Sequence, residues 1–317
     1  MKHISPFALG ATLYMPATRP DILEVVQGTK LPGLRSLVIC LEDAVAATDL
    51  DHALASLRKV LAQSKTHLRH DQANSGPLVF IRPRDVDMAA RLNDWADIAS
   101  ADGFVLPKLC MASLNQWALA VDNPDLLLMP TLETREVFHP NAMADLGSAL
   151  HEALGERVLA LRIGGNDLMS CLGLRRNPAT TLYQTPMGYV IPMLAGVLGA
   201  QGFALTGPVF EQLATPALLA EELQLDIAHG LVGKTAIHPT QIAPINEAFR
   251  VSIEDLNGAR MILNDTAPAV FRHNDAMLEP ATHQSWATNI LERAKWHGVK
   301  PAEGGIAEPV RLAEVAR

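Results

Sequence analysis

Long apolar runs, paired cysteines and an excess of basic charge are all missing from this 317-residue chain. Nowhere do roughly 18 apolar residues follow one another, the length that a membrane-spanning helix needs, so no membrane association is expected. The three cysteines, Cys40, Cys110 and Cys171, lie far apart with no C-x-x-C pair. That argues against a disulfide framework or a cysteine zinc site and for a reducing, cytoplasmic setting. Eleven histidines include neither an H-x-x-x-H nor an H-E-x-x-H spacing for zinc. With 26 Lys and Arg against 34 Asp and Glu, the formal charge is −8. A nucleic-acid binder would need a basic face to displace counterions from phosphate, and that class is set aside. The opening Met1-Lys2-His3-Ile4-Ser5-Pro6 also lacks the apolar core of a signal peptide.

What the chain does have is enough apolar content, 49% against 19% charged residues, to fill a globular core rather than stay disordered. That content is arranged as a rhythm of short runs at 9–16, 36–41, 78–81, 103–107, 126–132 and 158–163, with weaker members at 202–207 and 235–238. Near-continuous apolar runs fit strands buried on both faces, as in a parallel sheet covered by helices. Helical patterns at 88–99, 113–121, 145–154, 187–201 and 217–228 lie between them. The run ends recur about every 25 to 40 residues, the length of a βα unit with its connections. No glycine-rich phosphate turn follows the first run, so an open dinucleotide-binding sheet is disfavoured. The reading is an α/β protein: a (β/α)₈ TIM barrel over 1–245 with a C-terminal helical extension over 246–317. Ser252 caps a helix start in that extension, 264–280 reads as a loop, and the extension is expected to pack on the barrel or a neighbouring subunit.

In a (β/α)₈ barrel the active site lies at the carboxyl ends of the strands. The residues that end the runs therefore converge: Glu42, Asp43, Arg82, Lys108, Glu133, Asp167 and His238. Carboxylates with an arginine suit a hard divalent cation, which takes one or two carboxylates plus waters, and an anionic substrate. Each residue also has a structural alternative. Asp167 could cap the next helix, Arg82 and Arg84 could be surface charges, Lys108 could snorkel at the rim, and His238 could sit at a strand-to-turn junction. Cys40, inside an apolar run, reads as an inert buried thiol, and Met187 and Met193 as packing.

Seven segments occur in a recognisable order: Leu13-Tyr14-Met15-Pro16-Ala17, Leu41-Glu42-Asp43-Ala44-Val45, Phe80-Ile81-Arg82-Pro83, Leu106-Pro107-Lys108, Thr131-Leu132-Glu133-Thr134, Gly164-Gly165-Asn166-Asp167-Leu168 and Gly233-Lys234-Thr235-Ala236-Ile237-His238-Pro239. Together they resemble the HpcH/HpaI aldolase and citrate lyase β-subunit superfamily, over about residues 9 to 262. The departures from the family pattern resemble a divergent branch, similar to the lyase-like proteins of tellurite-resistance gene clusters.

That resemblance implies a barrel that cleaves or forms carbon–carbon bonds with Mg²⁺, Mn²⁺ being the alternative metal. It places the metal on Glu133 and Asp167, the substrate oxyacid on Arg82, and support of the metal waters on Glu42 and Asp43. Gly165 and Arg19 are further candidate substrate contacts. Arg19 is the nearest cation to the first strand, where the family's usual lysine is missing. Glu279, in Asn274-Asp275-Ala276-Met277-Leu278-Glu279-Pro280, falls where CoA-thioester members carry an acidic base. A 2-oxo acid or acyl-CoA partner and a homotrimer or hexamer are implied, while the altered Arg82-Pro83-Arg84 segment weakens the case for CoA. Two other readings stand beside the lyase: a metal-dependent acyl-CoA thioesterase, and a non-catalytic barrel in a stress-response complex.

Overall fold

The computed structural model describes residues 4–64 and 76–301. Strand β1 (Gly10–Pro16) leads through α1 (Ile22–Val26) to β2 (Ser36–Cys40) and α2 (Leu50–Ser64). Next come β3 (Leu78–Arg82), α3 (Val86–Asn93), β4 (Gly103–Leu106) and α4 (Leu114–Ala120). Then β5 (Leu127–Leu132) and α5 (Pro140–Leu154) precede β6 (Leu161–Ile163) and α6 (Gly165–Cys171). The series continues with α7 (Met187–Gly199), β7 (Leu205–Thr206), α8 (Pro216–Ala228), β8 (Gly233–Ala236) and α9 (Ile242–Ala248).

The eight strands form one parallel sheet in the order β7-β6-β5-β4-β3-β2-β1-β8. The last strand pairs with the first, Thr12 opposite Thr235. The remaining seam is narrow. Gly207, just after β7, bridges Lys234 through bonds from Gly207 N to Gly233 O (2.7 Å) and from Thr235 N to Gly207 O (3.1 Å). The sheet is thus a nearly closed (β/α)₈ barrel.

Every residue of β2, β4 and β5 is buried, which is why these strands read as continuous apolar runs and not as alternating ones. Inside, Val38, Phe80, Val105, Leu127 and Met129 form an apolar cluster against which Tyr14 packs. Register places Tyr14, Val38 and Phe80 in one row, and Pro16, Cys40 and Arg82 two residues further on. Alternation along a strand puts both rows on the same face. The row of Tyr14, Val38 and Phe80 is therefore largely apolar, and charge enters one row further on with Arg82.

Two strand expectations shrink. The run at 158–163 yields only Leu161–Ile163, and that at 202–207 only Leu205–Thr206. Four helices, α1, α2, α6 and α9, match none of the helical patterns in the sequence, and the pattern at 88–99 ends as a helix at Asn93.

The chain divides into two compact units, Met1–Ile245 and Asn246–Arg317. In the second, α10 (Ile253–Ile262) packs on α11 (Pro280–His297) around Leu256, Ala259, Ile262, Ala287, Ile290 and Ala294. Ser252 accepts a hydrogen bond from Asp255 N, capping α10 as expected. The loop expected at 264–280 is corrected: it contains a hairpin of β9 (Phe271–His273) and β10 (Ala276–Leu278). Its two-residue turn begins at Asn274 with φ of +48°, a conformation asparagine tolerates. Strands of three residues, whose Phe271 and Leu278 pack against the unit's core, are too short to show periodicity. Among the described residues no helix is long and apolar enough to cross a membrane.

Candidate active site

The strand ends bring four of the expected residues into direct contact. Arg82, the last residue of β3, is buried and uses three nitrogens: Nε donates to Glu42 Oε2 (2.6 Å), Nη1 to Thr131 Oγ1 (3.3 Å) and Nη2 to Glu133 Oε1 (3.0 Å). A guanidinium carries five N–H groups, so two remain for a ligand. Glu42 also accepts from Lys108 Nζ at 2.9 Å, and Asp43 lies 3.8 Å from the same ammonium. Arg82 is thus a tethered charge between two carboxylates, and the surface-charge alternative for it does not hold.

Backbone geometry aims the rest. Lys108 follows β4 with φ of +50°, a left-handed conformation costing a non-glycine residue about 1 kcal/mol or more. In that conformation its N–H donates to Glu133 Oε1 at 2.7 Å while its side chain reaches Glu42. Arg84 donates to the carbonyls of Leu41 (2.9 Å) and Val45, fixing the turn that carries Glu42 and Asp43. Gly164 lies against Glu133: a Cβ there would fall 2.4 Å from Glu133 Cβ and 2.5 Å from its Oε2. Only glycine leaves the carboxylate its place.

Asp167 stands in the first turn of α6, and Gly164 occupies the N-cap, so Asp167 is not the capping residue. Gly165, buried at the start of α6, abuts Pro208. Arg19 and Glu279, the two further candidates, have partners of their own. Arg19 is engaged by Asp21 through two bonds of 2.9 and 2.7 Å. Glu279 is the exposed N-cap residue of α11 in the second unit, near Thr282 and His283. His238 accepts from Thr240 N and closes a short turn, the structural alternative. Sequence reading passed over Thr131, two residues before Glu133 on the same strand face, and the positioning parts of Arg84 and Gly164.

The electrostatics are those of a site short of positive charge. Burial pushes the Glu133 pKa up to about 7, with Arg82 opposing and Asp167 and Glu42 adding repulsion. Burial also raises Asp167, which feels Lys108 and Arg82 against Asp43 and Glu42. Glu42 ends below its ordinary value, because Arg82 and Lys108 outweigh its burial. Burial opposes charge on Arg82, yet Tyr14, Glu133 and Glu42 raise its pKa further.

Among the described residues no three His, Cys, Asp or Glu side chains gather as a closed metal cage. The donor set nevertheless fits a hard divalent cation. Asp167 adds to the repulsion on a charged Glu133, and Glu133 Oε2 accepts no hydrogen bond among the described residues. Two carboxylates with open positions suit Mg²⁺, which keeps several waters, better than zinc.

A (β/α)₈ barrel with an arginine–carboxylate cluster at its strand ends defines a class of barrel enzymes. A family model described as C-C bond lyase of the TIM-barrel fold matches residues 3–299, and the chain belongs to that family. The expected membership of the HpcH/HpaI aldolase and citrate lyase β-subunit superfamily holds. The chain is 28% identical over 303 residues to a (3S)-malyl-CoA thioesterase of Cereibacter sphaeroides, covering 95% of this chain and 90% of the relative. It is 27% identical over 278 residues to a citrate lyase subunit beta-like protein of Deinococcus radiodurans, covering 86% and 90%. The fold is similar to CitE of Mycobacterium tuberculosis in complex with magnesium, acetoacetate and coenzyme A. That match has a TM-score of 0.63 and 22% identity over 90% of this chain and 97% of the other. Haloferax volcanii malate synthase matches at TM-score 0.61 and 15% identity, over 78% and 74%.

Proposed function

We propose that this protein is a Mg²⁺-dependent carbon–carbon lyase that cleaves, or forms in reverse, an adduct of a 2-oxo acid, with a CoA thioester as the second fragment. The carrying observation is the buried Glu42–Arg82–Glu133 chain with Asp167 beside it at the carboxyl end of the barrel. Glu133 and Asp167 would hold the metal, which when bound supplies Lewis-acid polarisation to substrate oxygens. The magnesium in the M. tuberculosis complex supports that choice.

The protein's own groups do the rest. Arg82, locked by Glu42, Thr131 and Glu133, presents its two remaining N–H groups to the substrate without reorganising. In cleavage a general base takes the substrate hydroxyl proton, the oxygen forms the carbonyl of the released 2-oxo acid as the carbon–carbon bond breaks, and that bond's electron pair leaves on the thioester fragment as an enolate. That enolate then takes a proton. Fixed positive charge on Arg82 and Lys108 lowers the energy of the negative charge as it spreads. Glu279 is the proposed acid–base group on the strength of the resemblance.

A thioesterase is the second reading, favoured by the name of the relatives that align over 95% of this chain. One assay separates the two. Incubated with (3S)-malyl-CoA and Mg²⁺, a lyase releases acetyl-CoA and glyoxylate in equal amounts. Free CoA with malate would identify a hydrolase. An intact substrate, across citramalyl-CoA and citryl-CoA as well, would count against both.

A further inference from the structure

Below the Arg82–Glu133 pair the barrel interior holds a second guanidinium that the chemistry above leaves unused. Arg162, the middle residue of β6, is 1% exposed. No carboxylate among the described residues pairs with it. Its Nη2 donates to Thr235 Oγ1 (2.6 Å), Nη1 lies 3.9 Å from the Met129 sulfur, and Nε has no partner. Thr206, its register neighbour on β7, has a buried hydroxyl that is likewise unpartnered. Arginine cannot escape burial by losing its proton, so this is a fixed positive charge without a counter-ion.

The group facing that charge is Tyr14. The Arg162 guanidinium lies 5.2 Å from the centre of its ring, a cation–π contact. Tyr14 stands in the row of Val38 and Phe80, one row short of Arg82. On the other side, the β6 residue Arg162 pairs in register with Thr131, the residue that Arg82 bonds. Tyr14 thus has one guanidinium against its ring and stands one row below the strand end that carries the other. It is only half-buried, and its hydroxyl makes no hydrogen bond with the described residues, although a phenol held among side chains normally finds one.

We propose that the Tyr14 hydroxyl donates a hydrogen bond to the carboxylate of the 2-oxo acid, and that Arg162 is its positioning residue, clamping the ring and supplying the buried positive charge that selects an anion. A carboxylate fits because it accepts from a phenol and from the two N–H groups left on Arg82, and it balances Arg162. This inference rests on the lyase reading and deepens it, by making the pocket a reader of substrate charge as well as a metal site.

Calorimetry in the presence of Mg²⁺ tests it on the full-length protein, with pyruvate and glyoxylate each compared with its uncharged amide. Tyr14→Phe keeps the ring on Arg162 and removes only the hydroxyl. It should weaken 2-oxo acid binding by about tenfold or more, the effect of losing a hydrogen bond to a charged group. It should leave Mg²⁺ affinity within about twofold and lower the preference for acid over amide, part of which Arg82 and Arg162 retain. Arg162→Met should lower the same preference, a readout that loosened packing alone would not move. If Arg162→Met does not fold, Tyr14→Phe still decides. Wild-type protein that binds neither acid overturns the lyase reading and this inference with it. Wild-type binding that Tyr14→Phe leaves intact, with the acid-to-amide ratio unchanged, overturns this inference alone.

Discussion

Glu133 makes its charge available at a cost. Burial lifts its pKa from an ordinary 4.5 to about 7, so near neutrality the metal-free fold holds a proton that the unfolded chain has already released. The stabilisation from that proton is complete below the unfolded value and disappears as pH rises through about 7. Mg²⁺ competes for the same carboxylate, so the gain in Tm on adding Mg²⁺ should be larger at pH 8 than at pH 6. Equal gains would separate the metal from Glu133. Glu133→Gln should abolish Mg²⁺ binding with the fold intact, and calorimetry showing unchanged affinity would remove the carboxylate from the site. Gly164→Ala is a gentler probe of the same place. Its methyl group would collide with Glu133 Cβ and Oε2, and Mg²⁺ affinity should fall about 10- to 100-fold, as for lost support of a metal ligand. Glu133, Asp167 and Arg82 were legible in the sequence because each ends an apolar run. Arg162 and Tyr14 were not, because each sits inside such a run, where a lone polar residue carries no periodic signal.

At the scale of elements, β8 is tied to α8 by a buried charge network. Lys234, fully buried, donates to Glu222 (2.9 Å) and Asp226 (2.7 Å), and Glu222 also binds Arg176 (2.6 Å) and Leu182 N (2.8 Å). Tyr183 donates to Asp226 at 2.8 Å. The segment after α6 is thereby pinned to the helix that covers the barrel seam. Lys234→Met should cost about 3–5 kcal/mol in urea unfolding, because it leaves two buried carboxylates short of a partner. A loss below about 1 kcal/mol would mean that the network relaxes. The strands of this half are legible only in part: β6 and β7 are shorter than their apolar runs, and β8 begins two residues before the run at 235–238. α6 escaped because seven residues make only about two turns, and the buried stripe of Gly165, Leu168 and Met169 is too short to show a period. Lys234 escaped because one lysine in a glycine–lysine–threonine stretch looks like a surface charge.

For the whole molecule, the second unit holds its own core around α10 and α11, and it carries Glu279. If that residue is the acid–base group, Glu279→Gln should lower kcat with KM nearly constant; normal turnover would return it to an exposed helix cap. The first unit has a different dependence on the entire chain. Its first strand pairs with its last, Gly10 opposite Gly233. On a ribosome adding roughly 5–20 residues per second, β1 therefore emerges long before its partner exists. For about 10 to 45 s of synthesis one edge of the growing sheet has unpaired backbone groups, the condition under which strands capture the wrong neighbour. The ring that shapes the pocket is thus also a timing constraint on biosynthesis. Slow translation or a stall before residue 233 should expose the chain to aggregation more than any later pause.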